Sequence, residues 1–135
     1  MKIELSRQAL LSELREQVRD LSGQNLLACY QCGKCSAGCP SIEAMDVMPS
    51  HILRWVQLGQ IEKALQTKTI WLCAACHTCK VRCPKGVDLA RIMEALRQLV
   101  LRENVDYVHP SRIPPEDLED LPQIALIANF RKFTS

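Results

Sequence analysis

Every cysteine in this 135-residue chain belongs to one of two copies of a single spacing. The first copy is Cys29-x2-Cys32-x2-Cys35-x3-Cys39-Pro40, and the second is Cys73-x2-Cys76-x2-Cys79-x3-Cys83-Pro84. Three closely spaced thiolates reach three corners of a [4Fe–4S] cube, and the fourth ligand comes from further along the chain. Such a chain has to fold so that two four-thiol nests form. No thiol is left over for a nucleophile, a plant-type [2Fe–2S] site or another metal.

Two other uses of eight cysteines compete with this one. Four disulfides would need an oxidising compartment. The N-terminus, Met1-Lys2-Ile3-Glu4-Leu5-Ser6, has an early acid and no long apolar run, unlike a signal peptide. Two zinc sites need only C-x2-C pairs, which gives no reason for the third cysteine of each triad or for the proline that follows. The whole spacing, matched twice, favours two [4Fe–4S] clusters as the cofactors.

In two-cluster ferredoxins the last cysteine of each motif ligates the other cluster. The expected ligands are therefore Cys29, Cys32, Cys35 and Cys83 for cluster 1, and Cys73, Cys76, Cys79 and Cys39 for cluster 2. The two loops differ. The first contains Gly33, Ser36 and Gly38, whereas the second has no glycine and carries His77, Lys80 and Arg82. Positive charge and N–H···S bonds both raise a cluster's potential, so the two potentials are expected to differ. His77 is expected to be an exposed loop histidine, and His51 and His109 are not expected to be ligands.

Hydrophobic content is 47% but aromatic content only 4%. Clusters are expected to replace part of the missing core, because metal binding and folding are coupled. The formal charge of +2 does not favour nucleic acid. Lys34, Lys80, Arg82 and Lys85 would offset part of the negative charge that two clusters add. No stretch approaches the roughly 18 apolar residues of a membrane span, so the chain is expected to be soluble and cytoplasmic.

The pattern between the motifs is helical. Residues 6–21 place Leu10, Leu14, Val18 and Leu21 on one face, with Ser6 as N-cap and Gly23 as stop. Pro49 fits the first turn of a helix carrying Ile52, Leu53, Val56 and Leu58, ended by Gly59. A short helix over 61–66 follows, and Ile70, Trp71 and Leu72 lead into the second motif. Asp88 is the expected N-cap of a helix with Leu89, Ile92, Met93, Leu96, Leu99 and Val100 on one face. Residues 1–23, 24–103 and 104–135 divide into an N-terminal helix, an all-α ferredoxin domain and a tail. Pro110, Pro114, Pro115, Pro122 and four acids mark that tail as extended. Its apolar patch, Ile124 to Phe130, would either dock on a partner or close the domain's own core.

There is no Gly-rich phosphate loop and no nucleotide fingerprint. The expected role is a non-catalytic conduit whose substrate chemistry lies on another protein of a complex. The segments Asn25-Leu26-Leu27-Ala28-CYQCGKCSAGCP and WLCAACHTCKVRCPKGVDLARIMEALR resemble the C subunit of heterodisulfide reductase over residues 24–101. The motifs alone are shared with the cluster domains of succinate dehydrogenase, glycolate oxidase and anaerobic glycerol-3-phosphate dehydrogenase. The resemblance implies a hetero-oligomeric complex. Its A subunit carries FAD and further iron–sulfur clusters and can bifurcate electrons, its Cys-rich B subunit reduces a disulfide, and the C subunit relays electrons between them. A free ferredoxin-like carrier is the rival within redox chemistry, and a zinc-binding adaptor the rival outside it.

Overall fold

The computed structural model describes residues 12–103 and 108–133. They form two compact units that part between Glu103 and Asn104. All regular structure among the described residues is helical, as the periodicity predicts.

Helix α1, Glu13–Ser22, begins at Ser12, whose hydroxyl accepts the Arg15 N–H at 3.3 Å. The start expected at Ser6 and the expected face residue Leu10 lie outside the described residues. Gly23 ends α1 at φ 62°, a conformation that glycine reaches without a Cβ penalty. The elements that follow are α2 (Lys34–Ala37), α3 (Pro49–Gln57), α4 (Ile61–Leu65), α5 (Thr69–Leu72), α6 (Thr78–Arg82) and α7 (Leu89–Leu101). Pro49 opens α3, where its missing N–H has no intrahelical acceptor to lose.

The long helix α7 is the axis of the unit, and α1, α3, α4, α5 and α6 all pack on it. Its Leu89, Ile92, Met93 and Leu96 are buried among Val18 of α1, Ile52 and Val56 of α3, Ile61 of α4 and Ile70 of α5. Burying each such side chain contributes roughly 1.5–3 kcal/mol. Trp55 joins this core, so one of the few aromatics is spent on packing.

One tie was not expected from the sequence. The Asp46 carboxylate accepts the Lys68 and Thr69 N–H groups, each at 2.9 Å, and lies 2.7 Å from the Thr69 hydroxyl. Those donors, the Lys68 N–H foremost, hold the Asp46 carboxyl below the usual carboxylate range. This side chain pins the chain leaving the first motif to the start of α5, which leads into the second.

The C-terminal unit corrects the extended-tail expectation. It contains a 3-10 turn at Pro110–Arg112 and two helices, α8 (Pro115–Asp120) and α9 (Gln123–Phe133). The prolines punctuate helices here. Pro115 occupies the first helical position of α8, where its fixed φ is suited to the turn. Glu116 and Asp117 then sit where the helix dipole favours negative charge. Ile124, Ile127 and Phe130 are exposed on α9. Among the described residues no helix is long and apolar enough to cross a membrane.

Candidate metal centres

The two motif loops follow one backbone path. In the first, Gln31 (φ 64°) and Gly33 (φ 78°) are left-handed; in the second, Ala75 (φ 50°) and His77 (φ 56°) take the same two positions. Each loop then enters a short helix, α2 or α6, and these two helices pack against each other. Glycine is thus dispensable at this turn, although a non-glycine residue at positive φ costs about 1–3 kcal/mol and persists only when its surroundings hold it there.

Between and beside these helices lie two small cavities of similar size. Cys29, Cys32, Cys35 and Cys83 line the smaller one. Cys39, Cys73, Cys76 and Cys79 line the larger, with Cys35 also in its wall. Each cavity therefore gathers the triad of one motif and the last cysteine of the other. The remaining walls are largely apolar: Leu53, Val87 and Leu89 at the first cavity, Leu89, Ala90 and Met93 at the second.

Cys32 and Cys76 are exposed, and the other six thiols are half-buried. The Lys34 N–H, with help from the Tyr30 hydroxyl, pulls the Cys32 thiol below its ordinary pKa. The Thr78 hydroxyl, then the Thr78 N–H, does the same for Cys76. Burial pushes Cys35 and Cys79 the other way. Since a thiolate is the metal ligand, donors aimed at sulfur prepare the exposed positions for ligation. The donor set fits a thiolate-held cube: at least four sulfurs around each of two spaces, N–H and O–H groups directed at them, and largely apolar walls. Among the described residues no His, Cys, Asp and Glu side chains converge tightly enough to hold a single ion.

Residues 25–87, which contain all eight cysteines, match the 4Fe-4S dicluster domain family. This region is a 4Fe–4S dicluster domain. Its cofactors are two [4Fe–4S] clusters. The chain is related to the iron–sulfur C subunits of heterodisulfide reductases. It is 36% identical over 94 residues to the iron–sulfur C subunit of the CoB–CoM heterodisulfide reductase of Methanopyrus kandleri, a match that covers 69% of this chain and 49% of that one. It is 36% identical over 80 residues to the second such C subunit of Methanocaldococcus jannaschii, covering 59% and 42%. It is 32% identical over 107 residues to the C2 subunit of the H(2)/formate:CoB-CoM heterodisulfide,ferredoxin reductase of Methanococcus maripaludis, covering 76% and 58%. The chain thus spans about half the length of the curated relatives it matches.

Within the dicluster domain, His77 is exposed, as expected from its loop position, but it also has a partner that the sequence did not indicate. Its Nδ1 lies 3.1 and 3.2 Å from the two carboxylate oxygens of Asp88, whose side chain is 1% exposed. Asp88 also caps α7 through the Arg91 N–H at 3.4 Å, and Lys80 Nζ stands 3.6 Å away. Its own N–H donates to Gln24 Oε1 at 2.8 Å. One carboxylate therefore ties α7 to the second motif loop and compensates for that loop's lack of glycine. Asp88→Ala should cost about 2 kcal/mol, combining a lost cap with a lost buried hydrogen bond. Anaerobic chemical denaturation checks this, and a loss below about 0.5 kcal/mol, the ordinary surface range, would refute it.

The residue before the last cysteine is Gly38 in one motif and Arg82 in the other. They meet where α2 faces α6, and a Cβ at Gly38 would overlap the Arg82 guanidinium. The Arg82 side chain is exposed and flexible and can swing aside, and the Gly38 φ of −113° is open to other residues, so a small side chain is admissible here.

Proposed function

We propose that this chain is the electron-transfer subunit of a heterodisulfide-reductase-like complex. It would relay electrons between an A subunit, bearing FAD and iron–sulfur clusters, and a Cys-rich, disulfide-reducing B subunit, in the cytoplasm. Flavin-based bifurcation would belong to the FAD-bearing partner. The observation that carries the reading is the pair of adjoining cavities, one walled by four cysteines and the other by five, with Cys35 and Leu89 common to both. The names of the relatives, which specify heterodisulfide reductases, point to the same type of assembly.

Cys29, Cys32, Cys35 and Cys83 would hold cluster 1, and Cys73, Cys76, Cys79 and Cys39 cluster 2. When bound, the clusters supply one-electron storage and transfer. The chain's own residues do the rest. Thiolates fix the two positions, and backbone N–H groups of Gln31, Lys34 and Thr78 stabilise charge on sulfur. Leu53, Val87, Leu89 and Met93 exclude water from the inner walls. Cys32 and Cys76 place one corner of each nest at the surface, where a partner can approach.

The test is anaerobic purification from the native host with a tag on this chain. About eight irons and eight sulfides per chain, together with a co-purifying flavoprotein that reduces the clusters, support the reading. Full clusters without a stable partner would favour a free carrier. Stoichiometric zinc would overturn both.

A further inference from the structure

The two nests differ in the donors aimed at their sulfurs. In the first loop the Gln31 side-chain Nε2 donates to Cys29 Sγ at 3.6 Å, beside the Gln31 backbone N–H at 3.4 Å. The same Nε2 donates to Gln57 Oε1 at 3.2 Å. Gln57 is 6% exposed, and its own Nε2 donates to the carbonyls of Leu26 at 2.9 Å and Cys29 at 2.8 Å. An amide has its donors at one end and its acceptor at the other. With its nitrogen claimed by two carbonyls, Gln57 must turn its oxygen toward Gln31. Gln31 must then present its NH2 group, with one hydrogen for Gln57 and one for the Cys29 sulfur. In the second loop the equivalent position is Ala75, which follows the same positive-φ path and has no such donor. At the two exposed thiols the hydroxyl donors are matched, with Tyr30 on Cys32 and Thr78 on Cys76, while Ser36 adds a hydroxyl at Cys35 and Ala90 an N–H at Cys79.

We propose that Gln31, oriented by the buried Gln57, sets the potential of the cluster held at Cys29 above that of the cluster held at Cys73. A hydrogen bond to a thiolate sulfur withdraws electron density and stabilises the reduced, more negative state. The electron would therefore rest on the first cluster, and flow within the domain would run from the Cys73 side to the Cys29 side. Gln31 and Gln57 are positioning residues here. The proposal rests on the crossed ligand sets given above.

An anaerobic redox titration of the holo-protein, followed by electron paramagnetic resonance, tests it. Gln31→Met keeps the side-chain length and removes the donor. It should move one midpoint to more negative potential, leave the other in place, and lower several-fold the share of the first reducing electron on the first cluster. The affected cluster is identified from the variant that retains only the Cys29 triad's signal. Gln31→Asn suits the left-handed backbone but is too short to reach both partners. It should shift the same midpoint and serves if the methionine variant loses iron. Unchanged midpoints at full iron content, or a shift confined to the Cys73 side, overturn the proposal alone. A wild-type protein without two reducible cubes overturns the ligand reading and the proposal together.

Discussion

Replacing Cys39 with alanine should remove the cluster of the second motif and spare that of the first. By chain order Cys39 completes the first motif, so a reading motif by motif predicts the opposite. The cavity geometry decides the expectation, because Cys39 stands in the wall with Cys73, Cys76 and Cys79. Cys83 correspondingly stands with Cys29, Cys32 and Cys35. Iron should fall from about eight toward about four per chain. The resonance signal lost in Cys39→Ala should be the one lost in Cys76→Ala, and Cys83→Ala should lose the signal missing in Cys32→Ala. The opposite pairing would mean that each motif closes on its own cluster. Crossing also has a structural consequence, because each cluster would then staple α2 to α6. Either variant should lower stability as well as iron content.

Stripping both clusters should have a still larger effect and release the two loops from their native paths. Three non-glycine residues there, Gln31, Ala75 and His77, hold positive φ. Each costs about 1–3 kcal/mol, a large share of the roughly 5–15 kcal/mol that stabilises a domain. Thiolate bonds to iron would supply the force that keeps them in place. Without those bonds, the apolar walls formed by Leu53, Leu89 and Met93 border space open to water. After anaerobic chelation, hydrogen exchange should show protection lost first over residues 29–41 and 73–87. The contacts of α1 and α3 with α7 should survive longer, since Val18, Ile52, Val56 and Leu96 pack without touching a cavity wall. Unchanged protection in both loops after iron removal would contradict this account.

The helical elements were legible because their signals are local. Pro49 at a first turn, Gly23 at a left-handed stop and Asp88 as a cap each report on a few neighbouring residues, and α7 shows its buried face as a plain 3.6-residue period. The misreading of the tail has a physical cause. Proline near an acidic run reads as a break, yet at position N1 it starts a helix, and Pro115 with Glu116 and Asp117 does so. The role of His77 was hidden for another reason: its partner Asp88 lies eleven residues away and was already assigned as a helix cap. A carboxylate can cap and bind a side chain at once, and no spacing rule announces the second task. Asp46 and Gln57 were invisible in the same way, because their bonds span 22 to 31 residues.

From the sequence alone came the number of clusters, the helical class and the chemistry of one-electron transfer, because thiol spacing and helix period are short-range properties. Only the tertiary structure decided which sulfur receives a side-chain amide, which buried residue aims that amide, and what His77 and Asp46 bind. Those properties depend on segments distant in the chain being packed side by side. Burial then fixes their orientation, as it does for Gln57, whose two carbonyl partners leave its oxygen one direction to face.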